Sequence, residues 1–255
     1  MNKISFIGSG NVASHLSKAL SRSACSINSI SSKNEAHSKE LANLLGVKTC
    51  SISDIDPTID LLIISVNDDA IIDVISKIPK GIKSVIHTSG AISMDVFKDR
   101  FENFGVFYPL QSFKKDRELD FSTIPILIEG NNIPFEKELI EFAKRITRRV
   151  ELMDSESRKT LHLAAVFANN FVNLLATEAY EILERANIDG SLIRPLLEET
   201  ILRLKDNHPK LMQTGPAMRK DFDVLKKHEE LLKTNPNLQS LYLQLSRQIM
   251  KRYNG

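Results

Sequence analysis

The chain has 255 residues, 42% hydrophobic and 26% charged, with a formal net charge of +2. That length suits one large or two moderate domains with a sizeable core, and the balanced charge gives no basis for binding nucleic acid or an anionic membrane. Two cysteines, Cys25 and Cys50, show no metal-ligand or disulfide spacing, which suits a reducing, cytoplasmic setting and argues against a metal site.

The N-terminus enters an apolar run at once, Lys3 to Ile7 (KISFI), so no leader is expected. The run leads into Gly8-Ser9-Gly10-Asn11-Val12-Ala13, which reads G-x-G-x-x-A, and then into Val12, Leu16, Ala19 and Leu20 at helical spacing. Strand, glycine turn and helix in that order is what a dinucleotide-binding βαβ unit requires. Gly8 permits the tight turn, Gly10 lets the backbone approach a pyrophosphate, and a small residue at 13 lets helix and strand pack closely. The free N–H groups and dipole at the helix start favour phosphate. Gly8, Ser9, Gly10, Asn11 and Val12 are therefore candidate cofactor contacts. The competing reading is a glycine turn that has lost its cofactor.

Ser26 to Ser32 is expected as the second strand. A carboxylate at its end would select the ribose 2′-hydroxyl of NAD, whereas a basic residue favours the 2′-phosphate of NADP. Ser31, Ser32 and Lys33 stand there, with no carboxylate before Glu35. NADP is expected over NAD, the alternative being a solvated turn whose lysine binds nothing. A helix over 37–45, capped by Gly46, and a short strand over 47–50 follow. Asp60 to Val66 (DLLIISV) reads as a parallel strand buried on both faces. It delivers Val66 and Asn67 to the cofactor.

Lys83 to His87 is the next strand, ending in His87-Thr88-Ser89-Gly90. Ligands of such sheets bind beyond the strand C-terminal ends, so Ser89 and His87 are candidate contacts on the nicotinamide side. A histidine satisfied by local backbone is the other reading of His87. A strand from Phe104 brings Tyr108 to the same edge. Ile124 to Glu129 and Arg149 to Met153 add two strands around a helix over 135–146. The alternation predicts an α/β, Rossmann-type doubly wound sheet over residues 1–154.

From 155 onward no strand pattern appears, and an all-helical C-terminal domain is expected over 155–255. The longest helix, 157–185, is apolar nearly all round from Leu161 to Ala176, so it should be buried on most sides. Thr160 to Thr177 carries no charge but contains His162, Asn169, Asn170 and Asn173, which argues against a membrane span. His162, Asn169 and Asn173, seven and eleven positions apart, fall on one stripe of a regular helix. They face either neighbouring helices or a substrate cleft. Gly215-Pro216 marks a turn before Arg219, a candidate carboxylate clamp or a structural ion pair.

GSGNVASHL, SSK, DLLIISVNDDAI, HTSG and YPLQSF, followed by a helical domain, resemble the 6-phosphogluconate-dehydrogenase-like superfamily. Its relatives include pyrroline-5-carboxylate reductase and deazaflavin-dependent NADP oxidoreductases. HLAAVFANNFVNLL and the TGPAMRKD…H stretch narrow the resemblance to NADP oxidoreductases with a helical C-terminal domain of unknown function. The resemblance implies dinucleotide binding and a homodimer formed through the helical domain. Three positions depart from it. Ala165 stands where related 3-hydroxyacid dehydrogenases carry the lysine of a Lys-x-x-x-Asn pair ending at Asn169. Tyr108 stands where histidine is frequent, and Lys220 where glycine is usual.

The expected function is hydride transfer between NADP and a small-molecule carbonyl or imine substrate. His162, His87 and Tyr108 are the candidate proton donors, Asn169 a hydrogen-bond orienter, and Asn173 and Arg219 substrate contacts. The alternative is an NADP(H)-binding sensor or assembly protein without turnover.

Overall fold

A computed structural model describes residues 1–23, 25–115 and 117–254. The chain divides into two compact units, Met1–Asn169 and Asn170–Gly255.

The first unit runs β1 (Lys3–Ile7), α1 (Asn11–Arg22), β2 (Ser26–Ser31), α2 (Glu35–Leu45), β3 (Lys48–Thr49), β4 (Leu61–Ile64), α3 (Ile71–Lys77) and β5 (Ser84–His87). It continues with β6 (Asn103–Pro109), β7 (Ile126–Gly130), α4 (Ile133–Ala143), β8 (Val150–Leu152) and α5 (Ser155–Ala165). The eight strands form one sheet in the order β3-β2-β1-β4-β5-β6-β7-β8. The chain reverses direction across the sheet between β1 and β4, which are neighbours there. A Rossmann sheet opens its ligand crevice at such a point. All neighbours pair in parallel except β6 and β7, which are antiparallel. The turn between them needs no helix.

Both faces of the sheet are covered, which explains why β4 is apolar at every position. Leu61 and Ile63 join a core with α1, α2 and α4, whereas Leu62 and Ile64 join a second core with α3. Successive residues of a strand point to opposite faces, so two covered faces demand an unbroken apolar run. Local signals set the helix ends. The Asn34 side chain accepts from the His37 N–H at 3.0 Å and starts α2, and Gly46 ends it at φ +68°. Leu41 lies on the buried face of α2, whereas Leu44 is exposed.

The second unit comprises α6 (Val172–Arg185), α7 (Arg194–Asp206), α8 (Phe222–Leu231) and α9 (Pro236–Asn254). Pro195 sits in the first turn of α7, where its missing N–H costs nothing. Asp221 caps α8 by accepting from the Val224 N–H at 3.2 Å. Lys220, before that cap, has φ +56°. Glycine adopts this left-handed conformation freely, while an L-residue bears a cost of ~1 kcal/mol, which gives the reason a glycine is usual at this position.

The expected single long helix differs in two ways. A π-helical segment, Val166–Phe171, lies between α5 and α6. Its wider turn breaks the 3.6-residue phase, so the regular stripe through His162, Asn169 and Asn173 does not carry across it. The expected burial also fails. Leu163, Phe167, Phe171, Val172, Leu174 and Leu175 are all exposed. Among the described residues, no helix is long and apolar enough to cross a membrane.

Candidate functional site

The G-x-G-x-x-A turn sits at the C-terminal end of β1. Gly8 has φ +121°, and a Cβ there would lie 2.0 Å from the Ser65 carbonyl oxygen beyond β4. No other residue fits that space. Gly10, by contrast, is exposed, and a Cβ on it would meet nothing within 4 Å. Gly10 is the N-cap of α1, and no side chain caps it; the first turn also carries no acid. The first N–H groups of a helix lack intrahelical acceptors. An open approach, unclaimed donors and the positive end of the dipole fit a pyrophosphate.

Hydrogen bonds stitch the neighbouring turns to this one. The Gly8 N–H donates to the Ser31 carbonyl at 2.7 Å, and the Ser65 N–H to the Ile7 carbonyl at 2.7 Å. The Ser9 hydroxyl donates to Ser32 Oγ at 2.8 Å. Lys33, next in the chain, is exposed. Val66 is partly buried, and Asn67 is exposed at the start of a short 3-10 turn. Thr88 Oγ1 donates to Ser65 Oγ at 3.1 Å, which joins the ends of β4 and β5. Asn11, in the glycine motif itself, donates to the Phe113 carbonyl at 2.8 Å. His15, one turn on, bonds the Lys114 carbonyl at 2.8 Å. Neither anchoring contact was expected from the sequence.

At the ends of β5 and β6 the structure brings two candidates into contact. Tyr108 Oη and His162 Nδ1 lie 3.0 Å apart, with their rings edge to face. Gly90 packs against both. A Cβ there would be 2.7 Å from His162 Nδ1 and 2.8 Å from Tyr108 Cζ. Gly90 is thus part of this neighbourhood, contained in the HTSG string but not singled out by spacing alone. Tyr108 is half-buried, and burial raises its pKa; Asp68 adds to the rise and the Arg158 cation opposes it. The phenol is therefore protonated at neutral pH and able to donate.

His87 is placed differently. It is fully buried against Phe97, and its Nδ1 accepts the Ser89 N–H at 3.2 Å. Nδ1 as acceptor puts the proton on Nε2, which has no hydrogen-bond partner. Burial, aided by the Arg158 cation, pushes its pKa down to about 3, with the Ser93 backbone as the opposing influence. The Ser89 hydroxyl accepts from the Ala91 and Ile92 N–H groups, both at 3.1 Å, and holds the next turn. Asn169, in the π-helical segment, ends the first unit and is exposed. In the second unit, Asn173 is exposed on α6, and Arg219 is exposed in the turn before α8. Among the described residues, no group of three His, Cys, Asp or Glu side chains could hold a metal ion.

A neutral, buried His87 has a sign-definite consequence. The unfolded chain takes up a proton near pH 6.5, and the folded chain not until about pH 3. Folding stability should therefore fall as pH drops through that window. In urea titrations at pH 7.5 and 5.0, His87→Gln should lose less stability between the two than the parent chain. Equal losses would mean that His87 is protonated in the fold.

A family model described as NADP oxidoreductase coenzyme F420-dependent matches residues 3–90, and one described as Domain of unknown function (DUF2520) matches residues 124–249. No match was found among curated proteins. A crystal structure from Bacteroides fragilis, named "putative NADP oxidoreductase", is 37% identical, covers 98% of each chain and superposes with a TM-score of 0.93. A 1-pyrroline-5-carboxylate reductase from Streptococcus pyogenes shares the fold at 16% identity, with 98% of each chain covered and a TM-score of 0.62. So does a reductive aminase from Aspergillus terreus in complex with NADPH, at 10% identity, 100% and 99% coverage and a TM-score of 0.72. By its identity to the Bacteroides protein over nearly the full length, this chain belongs to the NADP-oxidoreductase family that joins a Rossmann-like domain to the helical domain DUF2520.

Proposed function

We propose that the protein is an NADP-dependent oxidoreductase acting on a small carbonyl or imine compound, with Tyr108 and His162 as its proton-delivering pair. The observation that carries this reading is the 3.0 Å contact between Tyr108 Oη and His162 Nδ1. It is packed against the turn that follows β5, at the same sheet edge as the open glycine turn of β1. The bound nicotinamide supplies the hydride chemistry. The chain's own residues bind, orient and protonate. The turn at Gly8–Val12 and the N-terminus of α1 would hold the pyrophosphate. Ser31, Ser32 and Lys33 would hold the 2′-phosphate, and Val66, Asn67 and Ser89 would line the nicotinamide half. Reducing a carbonyl or imine leaves a basic oxygen or nitrogen. A protonated Tyr108 can give it a proton, and His162, hydrogen-bonded behind the phenol, can reprotonate Tyr108.

His87 has a different part in this reading: its buried, neutral ring holds the Ser89 turn in place. Asn169 is assigned to orient the substrate, and Asn173 and Arg219 to contact it. NADP complexes with a related fold, such as the Aspergillus terreus reductive aminase, add weight to a nicotinamide cofactor. A second reading, an NADP(H)-binding sensor without turnover, draws on Ala165. This last residue of α5 gives no proton where related dehydrogenases carry a lysine.

The helical region supports a homodimer. Among the described residues, 18 of the 22 exposed large hydrophobics fall from Leu163 onward. An apolar surface of that extent is rare on a monomer. The two free cysteines, Cys25 and Cys50, suit the reducing cytoplasm, which cell fractionation would check.

Three measurements test these readings. NADPH oxidation with a panel of keto acids and imines should reveal turnover, and His162→Ala and Tyr108→Phe should each lower kcat by about 10²-fold or more. Tight NADPH binding without consumption across the panel would favour the sensor. Calorimetry should show NADPH binding more tightly than NADH, with the preference lost in Lys33→Ala. Equal affinities in the parent chain would overturn the reading of Ser31–Lys33. Sedimentation velocity should show a dimer that Leu174→Asp weakens, and a monomeric parent chain would sink the homodimer.

A further inference from the structure

The Tyr108–His162 pair has a second contact beneath it. In the antiparallel ladder of β6 and β7, Val106 faces Glu129 and Tyr108 faces Leu127. Directly opposed residues share a face of the sheet, as do residues two apart in one strand. Tyr108 and Glu129 therefore project from the same side. Helix α5 lies against that side and touches both. Arg158 Nη1 donates to Glu129 Oε2 at 2.5 Å, and one helical turn later His162 meets Tyr108. Positions 158 and 162 are i and i+4, which places them on one helix face. The helix and the sheet thus share two contacts in register, one ionic and one between Tyr108 and His162.

The ionic contact is deeply enclosed. The Arg158 side chain is 0% exposed and that of Glu129 11%. Arg158 Nη2 also donates to the Ile92 carbonyl at 2.5 Å and to Ser155 Oγ at 3.1 Å. Its Nε has no partner. Glu129 is fixed in turn by the Ser155 N–H at 2.9 Å and the Ser155 hydroxyl at 2.7 Å. Arg158 therefore joins β7, α5 and the turn just after Gly90. These are the elements that surround Tyr108 and His162. A buried ion pair is poor value as a packing device, because apolar residues of similar volume hold two elements together equally well or better. A cation kept at this place calls for another use.

We infer that Arg158, held by Glu129, is a positioning residue for the Tyr108–His162 pair, setting the register of α5 on the β6–β7 face and placing a fixed cation behind the phenol. This rests on the proton-delivering role proposed for that pair. Four groups with charge or a titratable proton bear on Tyr108: Arg158 and His162 from α5, Glu129 from β7, which pairs with Arg158, and Asp68 from the turn after β4. The Gly90 turn contributes only backbone. Burial and Asp68 push the phenol up, and Arg158 alone of these three influences pulls it down. The cation offsets part of the rise that burial and Asp68 impose on the phenol.

The test needs no substrate. The chain has four tyrosines, Tyr108, Tyr180, Tyr242 and Tyr253. With tyrosine carbon-13 labelled at Cζ, the Tyr108 signal is assigned by Tyr108→Phe and followed against pH by NMR. Arg158→Met should move the Tyr108 midpoint up, and Glu129→Gln should move it down by leaving the Arg158 charge unbalanced. The Tyr180 and Tyr242 midpoints should stay in place. Arg158→Lys keeps the charge but not the two-pronged donor. It should hold the midpoint near the parent value while weakening the coupling of His162 to Tyr108, read as a smaller His162 ring shift on adding Tyr108→Phe. If Arg158→Met does not fold, Arg158→Lys and Glu129→Gln decide. An unmoved Tyr108 midpoint in Arg158→Met or Glu129→Gln, or shifts of the same sign in those two, would overturn the inference. NADPH calorimetry on the same proteins keeps the two ideas apart. A parent chain that fails to bind NADPH defeats the proposed function, whereas intact binding with unmoved midpoints defeats this inference alone.

Discussion

Gly8 brings backbone against backbone. With φ +121° and a virtual Cβ 2.0 Å from the Ser65 oxygen, the turn after β1 closes onto the end of β4 only because position 8 has no side chain. That approach sets where α1 begins, and so where its uncapped N–H groups point. Ser31, Ser65 and Thr88 continue the same edge outward, each tied to the next turn by a backbone or hydroxyl hydrogen bond. A second glycine repeats the device at the far end. Gly90 leaves room for His162 and Tyr108, which a Cβ would push apart. The candidate site is thus bounded by two positions at which a Cβ would clash with the backbone or with its neighbours.

Between those glycines the fold buries polarity that a plain core would avoid. His87 is enclosed and neutral, and it acts as an acceptor for the turn that follows it. Arg158 is enclosed and charged, and Glu129 balances it. One lone nitrogen remains on each, Nε2 of His87 and Nε of Arg158. An unsatisfied buried donor costs about 1–3 kcal/mol. Such costs persist mainly where a site needs fixed polarity, and here both fall beside the Tyr108–His162 contact. The interior of the sheet shows the contrast. From Leu61 to Ile64 every residue is apolar and buried, and that strand serves packing until its end.

The helical region follows another logic. The stretch from Leu161 to Ala176 is apolar nearly all round, yet among the described residues only Ala217, Leu225, Leu238 and Ser246 are buried beyond residue 169. Hydrophobic surface in that quantity is stable in water only when something covers it. The π-helical turn at Val166–Phe171 falls where the two compact units divide, and interruptions of this kind recur at functional places in helices.

The α/β architecture, the glycine turn and the helical second half were legible in the residues themselves. Their signals are local: apolar runs of strand length, G-x-G-x-x-A after a strand, and leucines at helical spacing. Tyr108 and His162 were each named as candidates because they lie at a strand end and on the long helix. Their pairing was not legible, because it joins positions 54 apart through the register of α5 on the sheet. Glu129 and Arg158 were missed for the same reason. A glutamate closing an apolar strand and an arginine in a first helical turn look like ordinary surface residues until the fold buries them together. The burial expected for the 157–185 helix failed because an apolar run reports what needs cover, not what supplies it. The sequence by itself determined the elements and the turn that opens the sheet edge, since these depend on neighbours within a few residues. Only the tertiary structure decided which polar groups meet at that edge, because register, burial and charge balance arise from the packing of distant segments.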